Sequence, residues 1–113
     1  MPYFKITTNR EVNAKTRKWL FYAMRQLVID ELGKPSNYIM TAIDGGIPMQ
    51  FADSEDHLAF VEFKSIGLPD TKKLSEAICN LIEGELNIPS QRVYIEFTDE
   101  PRNMFGYNKT TFE

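Results

Sequence analysis

Apolar residues recur at spacings of three and four at Leu20, Met24, Leu27, Val28 and Leu32, and again at Leu74, Ile78, Leu81, Ile82 and Leu86. Each set forms one stripe of an amphipathic helix with a core-facing side. The second stripe is the first displaced by 54 residues, as Leu74 is from Leu20, and the displacement also lays Pro35-Ser36 on Pro89-Ser90. The first helix is expected to start after Asn13 and stop at Gly33, a residue suited to a left-handed C-terminal position, with Pro35 preventing continuation. The second is expected to be capped by Asp70 and to end near Leu86-Asn87, before Pro89. Four runs rich in aromatic and β-branched residues flank these helices: Tyr3 to Thr8, Tyr38 to Asp44, Leu58 to Ser65 and Arg92 to Thr98. They read as strands.

Each half is therefore strand, helix, strand, repeated over approximately residues 2–44 and 57–98. A strand that returns to the same sheet through a helix makes a right-handed parallel crossover. Two copies give the expected fold class, α/β in the form of a two-layer α+β sandwich, with a four-stranded mixed sheet and both helices on one face. Asp44-Gly45-Gly46 marks a turn between the halves, and Ile47 to Phe51 could add a short strand. Tyr38, Met40, Phe60 and Tyr94 put apolar surface on strands whose other side already packs on helices, which points to an oligomer.

Composition narrows the function. At 113 residues the chain fits one domain, 1–113, and a hydrophobic fraction of 42% is enough for a packed core. A net charge of -3 with no run of Lys and Arg argues against a nucleic-acid partner. No stretch is long and apolar enough to span a membrane, and Met1-Pro2-Tyr3-Phe4-Lys5 has no signal-peptide pattern, so a cytoplasmic protein is expected, with non-classical secretion left open. Cys79 has no second cysteine to pair with, and with His57 it supplies too few ligands for a structural zinc site.

A set of short matches runs along nearly the whole chain: Met1-Pro2 with Phe4 and Thr8-Asn9, Gly33-Lys34-Pro35 with Tyr38, Ser65-Ile66-Gly67, Arg92-Val93-Tyr94-Ile95, Gly106-Tyr107-Asn108 and Thr111-Phe112. In their order and separation they resemble the macrophage migration inhibitory factor and D-dopachrome tautomerase family. The resemblance implies a homotrimer with sites at subunit boundaries. It also implies cofactor-independent keto-enol tautomerisation of aryl α-keto acids such as phenylpyruvate, or of dopachrome.

The chemistry asks for a base that is neutral near pH 7 and for charge support at the developing enolate. Pro2 supplies the base if Met1 is removed, because its secondary amine becomes the chain terminus. An ordinary terminal amine has a pKa of about 8, which apolar surroundings or a nearby cation lower. Met-Pro is also a permitted start in any protein; the other matches favour the catalytic reading. Lys34 fits a cation for the substrate carboxylate or enolate oxygen, with an ordinary helix-end lysine as the alternative. By the resemblance, Ile66 contacts substrate through its main-chain amide and Tyr94 reaches the site from a neighbouring subunit. Tyr38, Tyr94, Tyr107 and Phe112, with Phe105 at the rim, can wall a flat substrate or simply pack.

Two departures from the family pattern stand out. Leu58 and Val61 occupy the positions of a Cys-x-x-Cys pair found in mammalian cytokine members, so the thiol chemistry attributed to that pair is expected to be missing. Glu96 replaces a neutral asparagine, and on a strand it shares a face with Tyr94, where its charge disfavours an anionic substrate. A receptor-binding, cytokine-like protein that retains the pocket as a relic is the rival reading, and the pocket residues fit it equally.

Overall fold

The computed structural model describes residues 1–113. The first strand, β1 (Tyr3–Thr8), leads into helix α1 (Ala14–Leu32), and β2 (Met40–Asp44) returns parallel to β1. The second half repeats this as β3 (Ala59–Ser65), α2 (Thr71–Leu86) and β4 (Val93–Asp99), with β4 parallel to β3. β1 and β3 pair antiparallel at the centre, which gives the sheet order β2-β1-β3-β4. This is the expected mixed sheet.

Local chemistry sets the helix ends. The Asn13 side chain accepts from the Thr16 amide at 2.8 Å, and the Asp70 carboxylate accepts from the Lys73 amide at 3.0 Å. Each satisfies a donor that the first helical turn leaves free, at about 1 kcal/mol per cap. Gly33 and Asn87, 54 positions apart as the repeat requires, both end their helices in the left-handed conformation, with φ of 63° and 55°.

The helices cover one face of the sheet. Phe4, Ile6 and Thr8 of β1 and Ala59, Val61, Phe63 and Ser65 of β3 point into this layer and are buried, against Leu20, Met24 and Val28 of α1 and Leu74, Ile78, Ile82 and Leu86 of α2. Phe4 and Phe63 are central, their rings 5.2 Å apart. Burying side chains of this size contributes about 1.5–3 kcal/mol each, so this layer holds the fold. Thr8 is satisfied inside it by donating to the Leu58 carbonyl at 2.6 Å.

The opposite face carries a mixed surface. Met40 and Tyr94 are exposed, and between these edges lie Lys5, Glu62, Lys64 and Glu96. The expectation of apolar residues on both faces therefore holds for Met40, Tyr94 and, on interior strand β3, Phe60, which share this face with the charged Lys5, Glu62, Lys64 and Glu96. Glu62 stands beside Glu96 in register, with the Lys64 ammonium 4.0 Å from the Glu62 carboxylate.

Three other expectations are corrected. Tyr38 and Arg92 do not begin strands; they close equivalent 3₁₀ turns, Ser36–Tyr38 and Ser90–Arg92, each entered from a proline. The preceding Pro cannot donate into a strand ladder, and its carbonyl instead accepts from the third residue on, at 3.2 Å for Tyr38 and 2.9 Å for Arg92. Strand β3 begins at Ala59, one residue after Leu58. Ile47 to Phe51 forms no strand: a single bridge joins Phe51 to Ser54 across a turn with Ala52 and Asp53 at positive φ. A short hairpin that the sequence pattern does not suggest, β5 (Gly106–Tyr107) with β6 (Thr110–Thr111), lies near the C-terminus.

Candidate active site

Pro2 is buried at the start of β1, and its carbonyl accepts from the Met40 amide at 3.0 Å. Beside it the 3₁₀ turn brings in Tyr38 and the C-terminal hairpin brings in Phe105, Tyr107 and Phe112, closing a cleft of about 200 Å³ whose lining also includes Met1 and Met40. Tyr107 and Phe112 stack at 5.4 Å with their planes 16° apart, and Tyr38 meets them edge-on at 5.6 and 6.2 Å. Phe105 packs on Phe112 at 6.1 Å. Edge-on and offset-stacked contacts are the favoured aromatic arrangements, so these rings form one rigid wall. The cleft is smaller than pockets that hold drug-sized ligands and suits a single-ring molecule.

The hairpin that places this wall has its own supports. Phe112 donates its amide to the Phe105 carbonyl at 3.2 Å, and Arg102 donates to the Phe112 carbonyl at 3.2 Å. Arg102 has no signal in the sequence pattern that marks it for this task.

Electrostatics at the cleft favour a neutral amine. The Met1 amino group is held below the usual range for a chain terminus, first because burial disfavours its charged form and then because of the Lys34 ammonium. Lys34 follows the left-handed Gly33 at the end of α1, and its Nζ donates to the Ile66 carbonyl at 3.1 Å. An ammonium has three donors, so this bond leaves two for a ligand. Ile66 lies in the turn after β3, where the Gly67 amide donates to the Asp99 carboxylate at 2.9 Å.

Tyr94 and Glu96 lie elsewhere. Both are exposed on β4, which is separated from β1 by β3, and they share a face as the strand alternation requires. Tyr94 packs on Phe51 at 4.8 Å, beside a second, apolar cleft of about 420 Å³ that Leu58 and Phe60 also line. Within one chain, then, Pro2, Tyr38, Phe105, Tyr107 and Phe112 line one cleft, Lys34 acts on the Met1 amine and holds the Ile66 carbonyl without lining that cleft, and Tyr94 and Glu96 lie on β4.

Residues 1–113 match the family model described as macrophage migration inhibitory factor. The chain belongs to this family. It is 38% identical to a macrophage migration inhibitory factor homolog of Brugia malayi and 36% identical to the macrophage migration inhibitory factor of Xenopus tropicalis, each match spanning 99% of both chains. Its fold superposes on the crystal structure of the homologue from Prochlorococcus marinus with a TM-score of 0.92 at 35% identity, covering 98% of this chain and 99% of that one. Macrophage migration inhibitory factors are members of the tautomerase superfamily, which makes isomerisation the general chemistry to set against the cleft.

Proposed function

We propose that the chain is a cofactor-independent keto-enol tautomerase of aryl α-keto acids such as phenylpyruvate, or of dopachrome, with Pro2 as the base once Met1 is removed. The observation that carries the reading is a buried Pro2 beside an aromatic wall, next to a Met1 amine that burial and Lys34 already hold toward the neutral form. The neutral amine takes a proton from the carbon next to the keto group; the electron pair of that C–H bond becomes the C=C bond as the carbonyl π pair moves onto the keto oxygen. The enolate oxygen then takes the proton from the Pro2 ammonium, which completes the enol and restores the neutral amine, and the reverse sequence returns the ketone. Lys34 and the Ile66 main-chain amide are assigned to the substrate carboxylate and the developing enolate, where fixed donors strengthen as charge grows. Tyr38, Tyr107 and Phe112 hold the ring.

The positions of Tyr94 and Glu96 on β4 fit a homotrimer in which β4 of one subunit completes the cleft of the next. Support for this comes from their exposure and from the resemblance that assigns Tyr94 to a neighbour's site.

The test is a phenylpyruvate tautomerase assay on protein whose N-terminus is verified by mass spectrometry, compared with a variant carrying Ala inserted between Met1 and Pro2. The insertion turns the amine into a nonbasic amide, and activity should vanish. Wild-type activity should fall as pH drops through a value below that of an ordinary terminal amine, because the protonated amine cannot act as base. Full activity in the insertion variant sinks the mechanism.

The relatives' name favours a second reading, a signalling protein that binds a receptor. The same insertion variant separates the two, since receptor binding can survive loss of the base.

A further inference from the structure

The turn after β3 is fastened to the end of β4 at two points. The Glu100 amide donates to the Ser65 carbonyl at 2.9 Å, and the Asp99 carboxylate accepts from the Gly67 amide at the same distance. Gly67 has a φ of 86°, in the region that side-chain-bearing residues rarely occupy, so the turn depends on this residue and on whatever holds its amide. One residue earlier the Ile66 carbonyl accepts from Lys34 Nζ. Four groups from three separate parts of the chain are thereby linked in series: Asp99 at the end of β4, the Gly67 amide, the Ile66 carbonyl, and the ammonium that follows α1.

We infer that Asp99 is a positioning residue: its carboxylate fixes the Ile66–Gly67 turn, and the turn's carbonyl fixes the Lys34 ammonium. This rests on the tautomerase reading for its consequence in turnover, and on geometry alone for its effect on Lys34. Asp99 is exposed and does not line the cleft; its side chain's hydrogen bond goes to the turn. Its carboxylate is suited to the task because an ionised acceptor makes a stronger bond to a backbone amide than a neutral one. The polar side chains lining the cleft are those of Tyr3, Asn37, Tyr38 and Tyr107, and Lys34 is the charged group that acts on the amine at the chain start, here that of Met1. Letting Lys34 wander should therefore move the amine's titration upward, toward the ordinary terminal value.

Asp99→Ala and Asp99→Asn separate position from charge. Both remove the negative charge, but Asn keeps an oxygen that can accept from Gly67 and Ala does not. Asp99→Ala should lower kcat/KM for phenylpyruvate about fivefold, the factor set by one net hydrogen bond, and should shift the acid limb of the pH profile upward. Asp99→Asn should stay nearer wild type on both. Independently of turnover, the midpoint of the terminal amine, followed by NMR on isotopically labelled protein, should lie higher in Asp99→Ala than in Asp99→Asn, with faster Gly67 amide exchange. Asp99→Ser, too short to reach Gly67, replaces the Ala variant should that one fail to fold. Equal amine midpoints in the two variants overturn the inference. So does a loss of activity in both that follows thermal stability and leaves the acid limb in place. Absence of tautomerase activity in the wild type overturns the function and leaves the amine midpoints to decide the role of Asp99.

Discussion

Replacing Arg92 tests whether one guanidinium organises the loop between β2 and β3. Its Nε donates to the His57 carbonyl at 3.1 Å, one Nη to the Phe51 carbonyl at 3.3 Å, and the other Nη to the carbonyls of Ser54 and Asp56 at 3.1 and 3.0 Å. The guanidinium carbon also sits 5.3 Å from the centre of the Phe51 ring. The bonds to Phe51 and Ser54 are partly buried and the bonds to His57 and Asp56 are exposed. Taking about 1 kcal/mol for each partly buried bond and about 0.5 for each exposed one, Arg92→Ala should cost roughly 3 kcal/mol. In a chain of this size that is a fall of about 12 °C in Tm. Arg92→Lys keeps the charge but offers one compact ammonium that cannot span four carbonyls, so it should recover no more than about a third of the loss. Thermal and urea unfolding followed by far-UV circular dichroism, at a single protein concentration because association shifts apparent stability, measures both. A loss under about 1 kcal/mol in Arg92→Ala, or a Lys variant equal to wild type, refutes the reasoning.

Glu96→Gln should raise kcat/KM for phenylpyruvate several-fold and affect an uncharged ester of dopachrome much less, since an exposed charge is worth about 1 kcal/mol or less. The difference should shrink as salt is added; equal changes for both substrates mean that Glu96 acts by shape or stands outside the site. Sedimentation equilibrium at micromolar protein should show a trimer, and a fully active monomer contradicts a site completed by a neighbour's Tyr94.

The parts of the fold that follow from periodicity and capping were legible in the sequence. The stripes Leu20-Met24-Val28 and Leu74-Ile78-Ile82 both face the core, and Asn13, Gly33 and Asp70 sit where their side-chain chemistry or backbone freedom belongs. The two tight turns were not. Ala52-Asp53 and Asn108-Lys109 all have positive φ, yet neither pair contains a glycine, and so the Phe51–Ser54 bridge and the Gly106–Thr111 hairpin leave only the weaker signal of a single Asp or Asn. Tyr38 and Arg92 look like strand residues by type, and it is the preceding prolines that turn them. Of the aromatic wall expected from residue type and resemblance, Tyr38, Phe105, Tyr107 and Phe112 do pack together, while Tyr94 packs on Phe51 instead. The hydrogen bonds of Arg92, Asp99 and Arg102 were not legible, because an arginine or aspartate that serves backbone carbonyls and amides across tens of residues has no fixed spacing to its partners.

The burial of Pro2 bears on when the protein can be processed. β1 is an interior strand, held on one side by β2 and on the other by β3, and Pro2 at its start is already closed in while Met1 lines the cleft. An aminopeptidase needs the first residues extended in its own site, and the buried Pro2 is not free to extend in the finished fold. β3 ends at Ser65, which leaves a ribosome roughly three to thirteen seconds after Met1 at ordinary synthesis rates. Until that strand arrives the nascent N-terminus has no complete sheet to enter. The trimming that the proposed mechanism requires is thus expected before β3 is made, and a chain that keeps Met1 would carry an amide where that mechanism needs a base.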